Sequence, residues 1–207
     1  MALLKIARMG NQVLRRIAEP VADPTDPEVA RLAADMMETL EDVGGNGLAA
    51  PQVHVSKRVV VYRIAPHQIP SGSNFKPLPW TVLINPVIEP LADDKQLIWE
   101  RCLSIPGLHG MVPRYTRVRC TARAMDGSRI ERVTGGFHAM LLQHECDHLD
   151  GLLYPMRMTD LSTLAFNSEL GHRGFLYPPA AAPLEHSRSP HHPSRRRTTD
   201  IGLPSSL

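Results

Sequence analysis

The chain has 207 residues, 43% of them hydrophobic and 21% charged, with a formal net charge of +2. This balance fits one ordinary domain plus a tail, and no run approaches the roughly 18 consecutive apolar residues of a membrane-spanning helix. The opening from Met1 to Gln12 lacks the basic head, apolar stretch and small-residue cleavage site of an exported protein, so a cytoplasmic location is expected.

Gly10 to Ile17 reads as a short opening helix, and the proline-rich stretch from Pro20 to Pro27 as a loop. From Glu28 onward Val29, Leu32, Ala33, Met36, Met37, Leu40 and Val43 recur at three- and four-residue spacing. That period predicts an N-terminal amphipathic helix, stopped by Gly44 and Gly45. Arg58 to Ile64 and Thr81 to Ile88 read as strands, separated by a Pro/Ser/Gly-rich connection from Ala65 to Pro79. Gln96 to Leu103, Tyr115 to Ala124 and Arg129 to Thr134 continue the β pattern, with Asp126-Gly127 as a hairpin turn. A second, buried helix is predicted from Gly136 to Gly151, where glycine suits a C-terminal cap. Leu161 to Leu170 is assigned to an extended strand because Ser162, Thr163, Phe166 and Asn167 are modest helix formers. The expected fold is α+β: mainly antiparallel sheets around a central helix. It occupies residues 1–171, and the Pro/Ser/Arg/His-rich segment 172–207 reads as a flexible tail. Five arginines fall in that tail, including Arg195, Arg196 and Arg197. In so polar a context they read as solvated charge, and no specific nucleic-acid site is expected.

Chemistry concentrates in His144-Glu145-Cys146-Asp147-His148, an H-E-x-x-H array on the second predicted helix. Four residues make about one helical turn, so both imidazoles project from one face and can share a metal ion. Glu145, rotated by roughly 100°, can reach a metal-bound water without being a ligand. The alternative is a pair of hydrogen-bonded core histidines. Three polar residues facing a core would then stand unpaired, at a cost that metal binding removes.

Catalytic sites of this type have three protein ligands and an open position. Asp150 and Glu169 lie downstream without convincing helical spacing. Upstream, Cys102 ends a predicted strand just before Pro106-Gly107, which reads as a turn, and a thiolate there would complete a Cys/His/His set. Three cysteines are too few and odd in number for a disulfide framework, which leaves thiols available. A third stretch, Gly45-Asn46-Gly47-Leu48-Ala49-Ala50-Pro51-Gln52, permits close backbone approach and by itself reads as a tight turn and strand entry.

Taken together, the three segments resemble the three signature motifs of peptide deformylases: G-x-G-L-A-A-P-Q, E-G-C-L-S and Q-H-E-x-D-H. The first matches from Gly45 to Gln52, the third from Gln143 to His148, and the second in Glu100, Cys102, Leu103 and Ser104. The resemblance covers about residues 3 to 170. It implies an amide hydrolase that removes the N-formyl group from the N-terminal formyl-methionine of nascent proteins and releases formate. It further implies one divalent metal ion held by Cys102, His144 and His148. Fe(II) is the implied native ion, with Zn, Ni or Co possible in purified protein. The family pattern makes Glu145 the base that activates a metal-bound water. It assigns oxyanion stabilisation to the Gln52 side-chain amide and the Leu103 backbone N–H. Phe137 and Leu141, seven and three residues before His144, would wall an apolar pocket for the methionine side chain. The backbone at Gly45, Asn46 and Gly47 would pair with an extended N-formyl-methionyl nascent peptide as an added strand. Transient ribosome association through the tail arginines follows as a further expectation.

Three positions depart from the family pattern: Arg101 and His54 stand where glycine is usual, and Asn46 where an apolar residue is common. If Arg101 occupies a position that needs positive φ, the loop before the metal cysteine must adjust. Two other readings stay open on the residues alone. One is a metalloprotease-like site with Glu169 as third ligand. The other is a relative that keeps the fold and has lost turnover through Arg101.

Overall fold

The computed structural model describes residues 2–69 and 75–170. The flexible tail read for 172–207 lies outside them. Helix α1 spans Pro27–Val43 and helix α2 spans Gly136–Leu149. Eight strands accompany them among the described residues: β1 Gly47–Ala49, β2 Val59–Ile64, β3 Leu78–Pro90, β4 Lys95–Cys102, β5 Ile105–Tyr115, β6 Arg117–Arg123, β7 Arg129–Gly135 and β8 Ala165–Phe166. They form a five-stranded sheet in the order β1-β2-β3-β6-β7 and a three-stranded sheet in the order β4-β5-β8, with every pairing antiparallel. No helix among the described residues is long and apolar enough to cross a membrane.

Local chemistry sets the bounds of α1. Asp26 caps its first turn by accepting a hydrogen bond from the Glu28 N–H at 2.8 Å, Pro27 opens it, and Gly44 closes it at φ +67°. Its apolar stripe of Val29, Ala33, Met36 and Leu40 packs on Leu48, Val59, Val61 and Ile84. The intervening residues of β2, Val60, Tyr62 and Ile64, face the other way and pack with Leu141, Leu142 and Leu149 of α2. Because side chains alternate along a strand, β2 needs apolar residues on both faces, which explains its unbroken Val-Val-Val-Tyr run. Each such side chain contributes about 1.5–3 kcal/mol on full burial.

Helix α2 has no solvent face beyond its first turn: every residue from Ala139 to Leu149 is buried. It ends against Gly151, which has φ +73°, and a Cβ there would stand 2.7 Å from the Arg15 carbonyl oxygen. Glycine is therefore required for both conformation and space.

Four expectations need correction. Pro106-Gly107 is not the turn after Cys102. The reversal falls on Leu103 and Ser104, and Ile105 begins β5, a long strand whose Pro106, Gly107 and Pro113 disguise it in sequence. The reading of Tyr115 to Ala124 as one strand fails at Thr116, where β5 gives way to β6. Leu161 to Leu170 is not an extended strand throughout. The Asp160 carboxylate accepts a hydrogen bond from the Ser162 N–H at 2.9 Å and organises a 3-10 turn over Leu161–Thr163, leaving only the two-residue β8. The opening helix contracts to a 3-10 turn, Gln12–Arg15, capped by Asn11.

His54, one of the departures from the family pattern, closes the 3-10 turn Ala50–Val53 at φ +66°. Left-handed backbone costs a side chain about 1–2 kcal/mol relative to glycine, offset in part by the extra entropy of an unfolded glycine. His54→Gly should therefore stabilise the fold by about 0.5–1 kcal/mol, read as a raised denaturant midpoint at unchanged m. A lowered midpoint would show that the imidazole makes up the difference.

Candidate metal centre

Strand β4 delivers Cys102 and helix α2 delivers His144 and His148 to one point. One ligating atom from each lies within 4.8 Å of the others, and all three residues are buried. The Cys102 Sγ is 3.3 Å from His148 Nε2, and the two imidazoles stand edge-on with centroids 4.9 Å apart. Residues four apart on a helix lie on one face one turn apart, which is what aligns the rings.

The donors share protons with one another, and a cation binding there would release them. Burial would raise the Cys102 thiol, but the charge of His148 and hydrogen bonds from His144 and His148 outweigh it and hold the pKa well below the ordinary value. His144 Nδ1 pairs at 2.7 Å with Glu100 Oε2, which leaves Nε2 for the cluster. Burial disfavours the His144 imidazolium, and hydrogen bonds to Cys102 and Glu100 reverse that and raise its pKa well above the usual one. A thiolate beside two imidazoles, with one ring fixed by a carboxylate, is the donor set of a metal site left open on one side.

Glu145 adjoins this cluster. Burial pushes its carboxyl up to about 7 against the opposing charges of His144 and His148. Its Oε2 is buried without a hydrogen-bond partner among the described residues. Gly47 makes room for it: a Cβ at that position would stand 2.3 Å from Glu145 Oε1. Glu145 and the cluster open onto a cavity of about 530 Å³, where a polar guest can satisfy the orphan oxygen.

A family model for polypeptide deformylase matches residues 3–163. The chain belongs to the polypeptide deformylase family. Peptide deformylase 2 of Ralstonia nicotianae is 46% identical over 165 residues, 80% of this chain and 92% of that protein. Peptide deformylase 1 of Nitrosomonas europaea is 44% identical over 165 residues, 80% of this chain and 93% of the relative. Among solved structures, a class I type b peptide deformylase from Acinetobacter baumannii with Met-Ala-Ser bound superposes with a TM-score of 0.69 at 34% identity, covering 75% of this chain and 98% of that one. A Synechococcus elongatus peptide deformylase in complex with actinonin gives 0.68 at 34% identity, covering 84% and 87%. Deformylases are metalloenzymes, and the Cys/His/His cluster of this member could bind the ion.

Within this deformylase the residues singled out from sequence converge. Gly45, Asn46, Gly47, Gln52, Cys102, Leu103, Phe137, Leu141, His144 and Glu145 line the cavity, and His148 stands behind Cys102. Gln52 Nε2 lies 3.5 Å from Cys102 Sγ and 3.3 Å from Ser104 Oγ, while its Oε1 accepts a hydrogen bond from the Ala49 N–H at 2.9 Å. The two rival third ligands stay away: Asp150 pairs with Arg58 at 2.8 Å, and Glu169 bonds its neighbour Ser168. Arg101 lies in β4 without positive φ, so the backbone strain feared at that position does not arise.

Sequence reasoning missed the support beneath the cluster. Arg114 of β5, 4% exposed, donates to Glu100 through Nε at 2.6 Å and Nη2 at 3.0 Å, and to Asp147 through Nη1 at 2.6 Å. Asp147 also accepts from Arg157 at 2.8 Å. Burial would raise the Glu100 carboxyl, yet the His144 hydrogen bond and the Arg114 charge hold it at about 2. Asp147 inside the H-E-x-D-H array was a visible signal. Arg114 gave none, because its strand was unrecognised. Removing one partner of a buried ion pair typically costs about 3–5 kcal/mol. Arg114→Met should lower unfolding free energy by that amount in denaturant titration. A loss under about 1 kcal/mol would mean that the two carboxylates find other partners.

Proposed function

We propose that the chain hydrolyses the N-formyl group of formyl-methionyl nascent peptides, using one divalent ion, natively Fe(II), held by Cys102, His144 and His148. The observation that carries this reading is the convergence of those three donors, with Cys102, His144 and Glu145 on the wall of one cavity. Bound there, the ion would supply Lewis acidity, polarising the formyl carbonyl and making water acidic enough to attack it.

The chain's own residues do the rest. Glu145 takes the proton of the attacking water at a carboxylate oxygen, a role suited by its buried place beside the cluster, and returns it to the departing amine nitrogen. The Gln52 Nε2 amide and the Leu103 N–H donate to the oxygen that gains charge as the carbonyl carbon becomes tetrahedral. Gln52 is oriented for this by the Ala49 hydrogen bond on its other end. Phe137 and Leu141, joined by Ile64 and Met140, give the methionine side chain an apolar wall. Strand β1 is the edge of its sheet, and its neighbours Gly45 and Asn46 line the cavity, so an extended peptide can add alongside them. The relative from Acinetobacter baumannii crystallised with Met-Ala-Ser supports the same class of substrate here.

Formate release from formyl-Met-Ala-Ser by protein loaded anaerobically with Fe(II) tests the reading, and absence of turnover would refute it. Glu145→Ala should keep its metal content and lose at least about a hundredfold in kcat, as expected when an essential proton-transfer group is removed. Gly47→Ala should also keep the metal and lose about a hundredfold, because its methyl group displaces Glu145 by roughly an ångström. If Gly47→Ala is as active as the parent, the packing of Glu145 on this glycine has no part in catalysis.

A further inference from the structure

Gln52 and Ser104 belong to turns 52 residues apart in the chain, and hydrogen bonds tie them together through both backbone and side chain. The opening segment runs between them: the Ala7 N–H donates to the Gln52 carbonyl at 2.7 Å, and the Met9 N–H to the Ser104 carbonyl at 2.8 Å. Ala2 and Leu4 fasten the start of that segment to α1, their N–H groups donating to the Asp35 carboxylate and the Thr39 hydroxyl, each at 2.9 Å. Between the side chains, Gln52 Nε2 donates to Ser104 Oγ at 3.3 Å. Both residues are buried, so bulk water does not compete for these groups. Ser104 stands outside the cavity lining, although its neighbours Leu103 and Ile105 are part of it.

The side-chain contact governs rotation. The last torsion of a glutamine joins a tetrahedral to a planar carbon and has a broad energy profile, so the amide plane is set by its partners. The Ala49 N–H decides which end is oxygen, because a reversed amide would set two donors against each other. One bond at Oε1 still lets the plane turn about that contact. Ser104 Oγ engages one hydrogen of Nε2 and stops the turn. The other hydrogen is left for the side of Cys102 Sγ, which lies 3.5 Å from Nε2. Sulfur is a weak acceptor, so an oxygen that reaches this place can take that hydrogen over.

Resting on the deformylase reading, we propose that Ser104 is a positioning residue: it fixes the amide plane of Gln52 so that one Nε2 hydrogen stays aimed at the oxygen that gains charge. Ser104 acts only through Gln52 in this role. The backbone bonds from Ala7 and Met9 keep the two side chains at working distance. A misplacement of about an ångström at a reacting centre costs about a hundredfold in rate, and lost aim at one donor costs part of that.

A double-mutant cycle on formyl-Met-Ala-Ser tests the proposal. Metal-loaded Ser104→Ala should keep the metal content of the parent and lose about tenfold in kcat, with KM changed by less than about twofold. Gln52→Leu should lose about a hundredfold, and adding Ser104→Ala to it should cost less than about twofold more, because no amide remains to be aimed. Full activity of Ser104→Ala, or a tenfold loss that repeats in the Gln52→Leu background, overturns the proposal. A second readout needs no turnover: amide spectra of zinc-loaded, nitrogen-labelled protein, with the Gln52 side-chain signals assigned by their absence in Gln52→Leu. In the wild type the Nε2 hydrogen bonded to Ser104 should be shifted downfield and exchange slowly, and in Ser104→Ala that shift should vanish and the pair broaden. Unchanged shifts and widths in Ser104→Ala likewise overturn the proposal. Absence of turnover in the wild type refutes the deformylase reading instead, and the spectra still decide whether Ser104 holds the amide.

Discussion

The Arg114 guanidinium, buried between Glu100 and Asp147, ties the end of strand β4 to helix α2, and the candidate metal centre depends on that tie. Cys102 follows Glu100 by two residues, and Asp147 lies between His144 and His148 in the helix. One cation therefore fixes the relative position of both elements that carry the donors. Glu100 completes the arrangement by holding His144 Nδ1, so a single carboxylate orients the ring and answers the arginine. A buried charge network costs desolvation, and its return here is positional: donors from a sheet and a helix held to fractions of an ångström.

Small residues perform the complementary task of admitting contact. Glu145 can lie against the backbone only because Gly47 has no side chain, and α2 can end where it does only because Gly151 clears the Arg15 carbonyl. The positions where this chain departs from the family pattern divide on the same physical ground. His54 occupies left-handed backbone and carries a conformational cost, whereas Arg101 sits in ordinary strand geometry and carries none. An arginine at that place changes the charge of the cavity mouth without straining the loop.

Much of the site was legible in sequence because its signals are local. The four-residue spacing of His144 and His148 encodes a shared helical face, and the Gly45 to Gln52 stretch advertises close approach. Both helices and most strands of the larger sheet follow from periodicity, as in β2, whose unbroken apolar run reflects burial on two faces. What stayed hidden is non-local or masked. Strand β5 was obscured by Pro106, Gly107 and Pro113, and with it went Arg114, whose partners lie 14 and 33 residues away in the chain. The strand that holds β8 was read too long because Asp160 caps a competing 3-10 turn just before it. Cys102 could be offered as the third donor from its place at a strand end, and the family resemblance strengthened that choice, since nothing local fixes a partner 46 residues distant.

The central claim is that one sulfur and two imidazole nitrogens from this chain bind the same ion. X-ray absorption at the metal edge of the loaded protein reads that donor set directly. The account predicts a single sulfur scatterer at thiolate distance together with imidazole nitrogens, and loss of the sulfur shell in Cys102→Ala. A spectrum with no sulfur shell in the wild type, or one whose sulfur shell persists in Cys102→Ala, would contradict it.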